Sequence, residues 1–277
     1  MSIFQAAILG LVQGLAEFLP VSSSGHLILA RALMGISDAT AQTDVYLMLD
    51  ILLHMGTLIA VLVVFWRDWL NILKNPFKSK TLLLLFIASL PALIVAVLFN
   101  DLMESFFTGW FLGVSFLITA IFLLIAEAVS KKQRNTTGKV GFKHAIVMGI
   151  MQAIALLPGV SRSGSTLTGG VLSKLNRSAA AKFAFMMSAP AIVGSLLIEG
   201  KGAYESGAFA QLALVPTLAG MAIAAISGYL AIRFMLKLIQ KASLSWFALY
   251  VAIVGVVVLF LQFTGNPLLP AFQLPVL

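Results

Sequence analysis

Two apolar stretches of this chain, 3–34 and 144–173, are each broken near the centre by a run of Pro, Ser and Gly, and those breaks restrict the fold more than any other feature. The first contains ILGLVQGLAEFLPVSSSGHLILARALMG and the second IVMGIMQAIALLPGVSRSGSTLTGGVLS. A helix needs about 20 apolar residues to cross the hydrocarbon layer, so no half of either stretch can span it. Backbone that has left the helix cannot face lipid either, because each unpaired peptide group there costs several kcal/mol. Each stretch is therefore expected to enter the membrane, turn and return as a re-entrant helix–loop–helix hairpin.

The rest of the chain supplies the membrane setting. Six unbroken apolar stretches, 46–66, 81–99, 110–129, 183–198, 212–232 and 244–263, are long enough for full crossings. Only 10% of the 277 residues are charged and 60% are hydrophobic, whereas a water-soluble surface needs about 25–35% charged residues. Soluble enzyme classes are excluded. Zero cysteines exclude disulfides, thiolate metal sites and Cys nucleophiles. The start MSIFQAAILGLVQGLAEF has neither a basic n-region nor a small-residue cleavage pattern, and is expected to belong to the mature protein.

The net charge of +8 first suggests an acidic partner, but its distribution points to orientation instead. Loops 67–80, 130–143 and 233–241 hold four, five and three Lys/Arg, twelve of the eighteen in the chain. Basic loops stay in the cytoplasm. The alternate loops 100–109 and 199–211 carry four acids and one Lys, as an outer face would. No nucleic-acid partner is expected. Arg31 is expected to snorkel to the outer interface, and Lys174, Arg177 and Lys182 to act as further orientation signals.

Sliding the sequence on itself by 139 positions aligns Gly10 with Gly149, Gln13 with Gln152, Ala16 with Ala155 and Val21 with Val160. Ser22, Ser24 and Gly25 fall on Ser161, Ser163 and Gly164 without a gap, so each broken centre lands on the other. Each hairpin is followed by three full spans, an odd number, so the second copy enters upside down. The fold class expected is an all-α integral membrane protein with six full transmembrane helices and two re-entrant hairpins in an inverted-topology repeat. It forms one membrane domain, 1–277, with repeats of approximately 1–130 and 140–265. Hairpins from opposite faces bring their polar tips together near the midplane, where inverted-repeat proteins build sites from broken helices.

The first tip offers Gln13, Glu17, Ser22, Ser23, Ser24, Gly25 and His26; the second offers Ser161, Arg162, Ser163, Gly164, Ser165 and Thr166. Gln13 and Glu17 are four apart and share one helix face. Ionisable groups at membrane depth are expensive and usually functional, and Glu17, His26 and Arg162 are three of them. The set suits a phosphorylated ligand. Arg162 offers a planar fork for phosphate oxygens, and Ser hydroxyls with the N–H groups of a Gly-containing helix start form an anion cradle. Glu17 beside the Gln13 carbonyl could hold a hard divalent cation, Mg²⁺ or Ca²⁺. His26 can serve as nucleophile or as a general acid/base for Ser23 or water.

The segments Q-x-x-x-E-F-L-P-V-S-S-S-G-H at 13–26 and P-G-V-S-R-S-G-S-T at 158–166 together resemble the paired signature of the bacterial undecaprenyl-diphosphate phosphatases of the bacitracin-resistance type. The similarity extends to L-D-I-L-L-H-M-G-T at 49–57 and to the six-span layout. It implies removal of the terminal phosphate from undecaprenyl diphosphate to regenerate the carrier lipid of cell-wall synthesis. It also implies dependence on a divalent metal and a multi-pass protein of the bacterial inner membrane with its site facing outward. By that resemblance Glu17, Ser23, His26 and Arg162 form the active centre. Ser161, Ser163 and Thr166 match the phosphate-binding motif, with Ser22 and Gly164 beside them. Gln13 stands at the first position of the family's E/Q-x-x-x-E pattern, and a neutral amide leaves more of the metal binding to Glu17.

Plainer roles stand beside these. Ser22, Ser24 and Ser165 can serve only to satisfy broken backbone, and Gln13 and Gln152 can bond between helices. Asp50 and His54, four apart on one helix face, either pair with each other or orient His26 or Glu17 from behind. A polyprenyl-phosphate flippase or transporter is the competing class, since inverted repeats with broken helices commonly serve alternating access. A structural or assembly protein is the third. A homodimer is left open, as is the nucleophile: Ser23, His26 or water.

Overall fold

The computed structural model describes residues 1–36, 43–99, 106, 109–133, 135–205, 207 and 212–272. Among them eleven α-helices run in the order α1 (Ile3–Phe18), α2 (Ser23–Leu33), α3 (Thr43–Val64), α4 (Trp66–Lys74), α5 (Lys80–Leu98), α6 (Leu112–Lys132), α7 (Phe142–Ile154), α8 (Arg162–Leu172), α9 (Arg177–Glu205), α10 (Leu214–Leu238) and α11 (Ser245–Phe263). Six segments are long and apolar enough to cross a membrane: Val45–Val64, Lys80–Leu98, Leu112–Lys132, Arg177–Ile198, Leu214–Leu238 and Ser245–Phe263. They match the six stretches expected from the sequence. The chain is an all-helical, multi-pass membrane protein.

Two expectations are corrected. The loop 67–80 is largely helix α4, with Asp68 in its first turn and Lys74 in its last, each at the end the helix dipole favours. From the expected loop 233–241, Arg233 and Lys237 lie within helix α10; Arg177 and Lys182, expected as orientation signals, lie within helix α9. Charge does not end the helix there, because Arg177 is held by Glu127 and Ser130, and Lys182 reaches Asp68 at 2.7 Å. Of the expected acidic loop 199–211, residues 199–205 belong to helix α9, while 206 and 208–211, most of the loop 100–109, and Arg134 lie outside the described residues.

Both broken stretches form pairs of short helices. In the first, Leu19 precedes Pro20, whose ring disfavours helical backbone at the residue before it. Leu19 is accordingly extended, with ψ 142°, and α1 stops at Phe18. Helix α2 restarts on Ser22, whose hydroxyl accepts the Gly25 N–H at 3.3 Å. In the second, α8 restarts on Ser161, whose hydroxyl accepts the Gly164 N–H at 3.1 Å. The two caps and their donors are the residues that a shift of 139 superposes.

Packing pairs the halves crosswise. Helix α1 lies along α10, and α7 lies along α5; α6 packs against α11. Small residues allow the close approaches. A Cβ at Gly10 would sit 2.2 Å from the Gly220 carbonyl oxygen, and one at Gly149 would sit 2.6 Å from that of Ala88. Gly10 and Gly149 are again repeat mates, so both halves make the same kind of crossing. Replacing Gly10 by Ala forces α1 off α10, and overpacking of this kind costs about 1–3 kcal/mol. The Gly10→Ala protein is expected to show a lower thermal unfolding midpoint in detergent. Gly194→Ala, in helix α9 with nothing within 4 Å, should leave the midpoint unchanged or raised.

Candidate active site

Glu17, the penultimate residue of α1, ends one turn before the first break and is 6% exposed. A buried carboxylate needs partners, and four side chains reach it. Gln13, one turn earlier, donates from Nε2 to Oε2 at 3.1 Å. Ser23 donates its hydroxyl to the same oxygen at 2.6 Å. Arg162 forms an ion pair with Oε1. His54 of α3 places Nε2 3.5 Å from Oε2.

Ser23 and Arg162 are the first residues of α2 and α8, and they too are 139 positions apart. One carboxylate therefore ties together the starts of both restarted helices, the ends where dipole and free N–H groups favour negative charge. Further bonds fasten break to break. Ser163 donates its hydroxyl to the Leu19 carbonyl at 3.0 Å, and the Gly159 N–H donates to Ser24 Oγ at 3.3 Å. The Thr119 hydroxyl, from α6, accepts the Ser161 N–H at 2.9 Å and donates to the Gly159 carbonyl at 3.3 Å. Each break contains one left-handed residue: Ser22 with φ 74° and Gly159 with φ 89°. Gly159 also has no room for a side chain, since a Cβ there would lie 2.7 Å from that of Ser115. Ser22 has no such excuse, and strain at a non-glycine residue of this kind gathers at functional sites.

The predicted site residues thus divide. Glu17, Ser23, Arg162, Gln13 and His54 converge. Ser22, Ser161, Ser163 and Thr166 stand close by, but their hydroxyls face the protein: Ser22 and Ser161 as caps, Ser163 on Leu19, and Thr166 on the Arg162 carbonyl at 2.7 Å. All four are buried, so in this structure they build the cradle while Ser23 and Arg162 present the partly exposed polar groups. The backbone of Gly164 is part of the same cap.

His26 is on α2 but bonds elsewhere. Its Nδ1 donates to the Ser22 carbonyl at 2.7 Å, and its Nε2 lies 2.8 Å from the Tyr250 hydroxyl of α11. No hydrogen bond joins it to Ser23. Asp50 is not aimed at Glu17 or His26: its carboxylate takes both bonds from Arg31, at 2.6 and 2.8 Å. Arg31 is 6% exposed, so the expected snorkelling is replaced by a buried ion pair in which Nη1 reaches both oxygens of Asp50. The Asp50 backbone carbonyl accepts from His54 Nδ1 at 2.6 Å, which turns His54 Nε2 toward Glu17.

Sequence reasoning missed Tyr250 and Thr119. A Tyr in an apolar span ordinarily belongs to the interfacial aromatic belt, and a Thr there bonds its own helix, so neither carries a local signal.

For a cation, the donors nearby are oxygens, as Mg²⁺ and Ca²⁺ require. Gln13 Oε1 is buried beside Glu17 without a hydrogen-bond partner. No group of three or more His, Cys, Asp or Glu that could hold a metal exists among the described residues. The chain's own ligands therefore suit a one-carboxylate site completed by ligand phosphates, and not a closed protein cage.

Residues 6–257 match the family described as bacitracin resistance protein BacA. The undecaprenyl-diphosphatase of Carboxydothermus hydrogenoformans is 42% identical over 96% of this chain and 100% of its own. Undecaprenyl-diphosphatase 4 of Bacillus thuringiensis subsp. konkukian is 39% identical over 95% of this chain and 99% of its own. The undecaprenyl-diphosphatase of Methanosphaera stadtmanae is 37% identical over 95% and 99%. With nearly its whole length matched in this way, the chain belongs to the bacitracin resistance protein BacA family.

Proposed function

We propose that this protein hydrolyses undecaprenyl diphosphate to undecaprenyl phosphate and inorganic phosphate, the activity for which its relatives are named, and that it thereby confers bacitracin resistance. The observation that carries the site assignment is the Glu17 carboxylate held between the Ser23 hydroxyl and the Arg162 guanidinium.

The terminal phosphate binds at the starts of α2 and α8. Arg162 turns toward its oxygens, and free N–H groups of the two helix starts add to the cradle. As Arg162 moves to the phosphate, Glu17 is left to accept the proton of Ser23. Ser23 Oγ then attacks phosphorus while the bond to the bridging oxygen breaks, and undecaprenyl phosphate leaves. Water cleaves the phosphoserine and releases inorganic phosphate, with His26 as the group that takes the water proton. A divalent cation, Mg²⁺ or Ca²⁺, would be held by Glu17, the Gln13 amide oxygen and the diphosphate itself. When bound it offsets negative charge on the phosphates.

We place the two helix pairs in the membrane as re-entrant hairpins of an inverted repeat, in the bacterial inner membrane, with the site open to the periplasmic side. The matching caps at Ser22 and Ser161 and the crosswise packing of α1 on α10 and α7 on α5 support the repeat. The basic inner loops support the orientation. A flippase needs no nucleophile poised on a carboxylate, and the Ser23–Glu17 bond is what favours hydrolysis over transport.

Phosphate release from undecaprenyl diphosphate by purified protein in detergent tests this, since no transport gradient exists there. Arg162→Ala and Glu17→Gln are each expected to lose at least 100-fold in rate, about 2.7 kcal/mol of barrier. Near-normal turnover by either, in protein that elutes as wild type, would sink the assignment. Removing divalent cations with a chelator should abolish turnover and re-addition of Mg²⁺ or Ca²⁺ should restore it; turnover that survives chelation would remove the cation from the account.

A further inference from the structure

His26 is held on three sides by groups that do not belong to the Glu17 cluster. Its ring meets Phe116 edge-on at 5.3 Å and stacks on Tyr250 at 5.7 Å, with an angle of 17° between the Tyr250 and His26 planes. Because the Ser22 carbonyl can only accept, Nδ1 must carry the proton in that bond. A neutral imidazole then has a lone pair at Nε2, and the group that meets it is the Tyr250 hydroxyl at 2.8 Å. Which nitrogen of a His is protonated is set by the bond the other one makes, so His26 is specified twice, once from each side.

Tyr250 arrives from the last helix of the chain, 224 residues away, and is 46% exposed on the outside of α11. It is the sixth residue of α11, roughly 8 Å along the axis from the helix start and within an apolar segment long enough to cross the membrane. A hydroxyl at that depth needs a partner, and the one it takes is the free nitrogen of His26.

We propose that Tyr250 is a positioning residue of the active site. It donates to Nε2 of His26, fixes the Nδ1–H tautomer and holds the lone pair in reserve until substrate or water takes the place of the phenol. The proposal rests on the assignment of His26 to the phosphatase centre. It gives α11, which carries none of the signature residues, a defined part in the reaction.

The Tyr250→Phe variant keeps the ring against His26 and removes only the donor. Its kcat is expected to fall about tenfold, the scale of one lost hydrogen bond, while KM changes less than twofold. In a His26→Ala background the same change should cost nothing further, because its effect passes through His26. The chain has three histidines, so ¹⁵N-histidine labelling resolves them. The Nε2 resonance of His26 should move toward the unbonded position in Tyr250→Phe while its Nδ1 resonance stays. Unchanged kcat, equal losses in both backgrounds, or an unmoved Nε2 resonance in a protein whose His26→Ala variant is slowed but still measurable would overturn the role of Tyr250 alone. Full phosphate release by His26→Ala would instead overturn the assignment of His26 on which the proposal stands.

Discussion

The carboxylate of Glu17 can be buried only because both broken helices begin at it. A lone carboxylate out of water is strongly disfavoured, and here Oε1 takes the Arg162 guanidinium while Oε2 takes the Ser23 hydroxyl and the Gln13 amide. Removing one partner of a buried ion pair typically costs about 3–5 kcal/mol. The contact is therefore structural and chemical together: it closes the two breaks on one point and leaves a hydroxyl next to a proton acceptor. The remaining bonds between the breaks, Ser163 to Leu19 and Gly159 to Ser24, are neutral and hold the same approach from the flanks.

The two breaks correspond at a shift of 139 positions, and yet the point where they meet is not symmetric. Ser22 and Ser161 cap alike, and the residues that follow them, Ser23 and Arg162, both reach Glu17. What differs is chemistry laid on matched backbones. The position that mates with Glu17 is Leu156, and the mate of His26 is Ser165. A two-fold site would face a phosphate with equal groups from both sides. This one offers a guanidinium from one helix start and a hydroxyl from the other, the asymmetry that the proposed displacement at phosphorus would use.

Much of this was legible in the sequence, and the reasons differ by element. The six spans showed because lipid imposes a length on apolar runs. The breaks showed because Pro20 and Pro158 sit among Ser and Gly where spans should continue. Glu17, Ser23 and Arg162 could be named from the cost of charge in an apolar setting and from the resemblance the two motifs carry. The sequence misled where one side chain has two plausible partners. Asp50 and His54 share a helix face, yet Asp50 turns to Arg31, a choice made by where α2 packs and not by spacing. The hydroxyls of Ser161, Ser163 and Thr166 read as ligand donors, and their bonding to the protein's own backbone, across to Leu19 in the case of Ser163, depends on geometry that no pattern reveals. Tyr250 was invisible because its partner lies at the other end of the chain.

The central claim is that the two breaks meet, and the absence of native cysteine allows it to be measured by cross-linking. A Cβ at Gly164 would lie 3.4 Å from that of Pro20, beside the range of about 3.5–4.5 Å that a disulfide spans. The double variant Pro20→Cys/Gly164→Cys, oxidised mildly in membranes and then denatured, should have lost both thiols to an intramolecular disulfide, whereas each single variant, denatured in the same way, still alkylates at its one thiol. Two thiols that stay free and alkylate independently in the double variant would place the breaks apart and contradict the account.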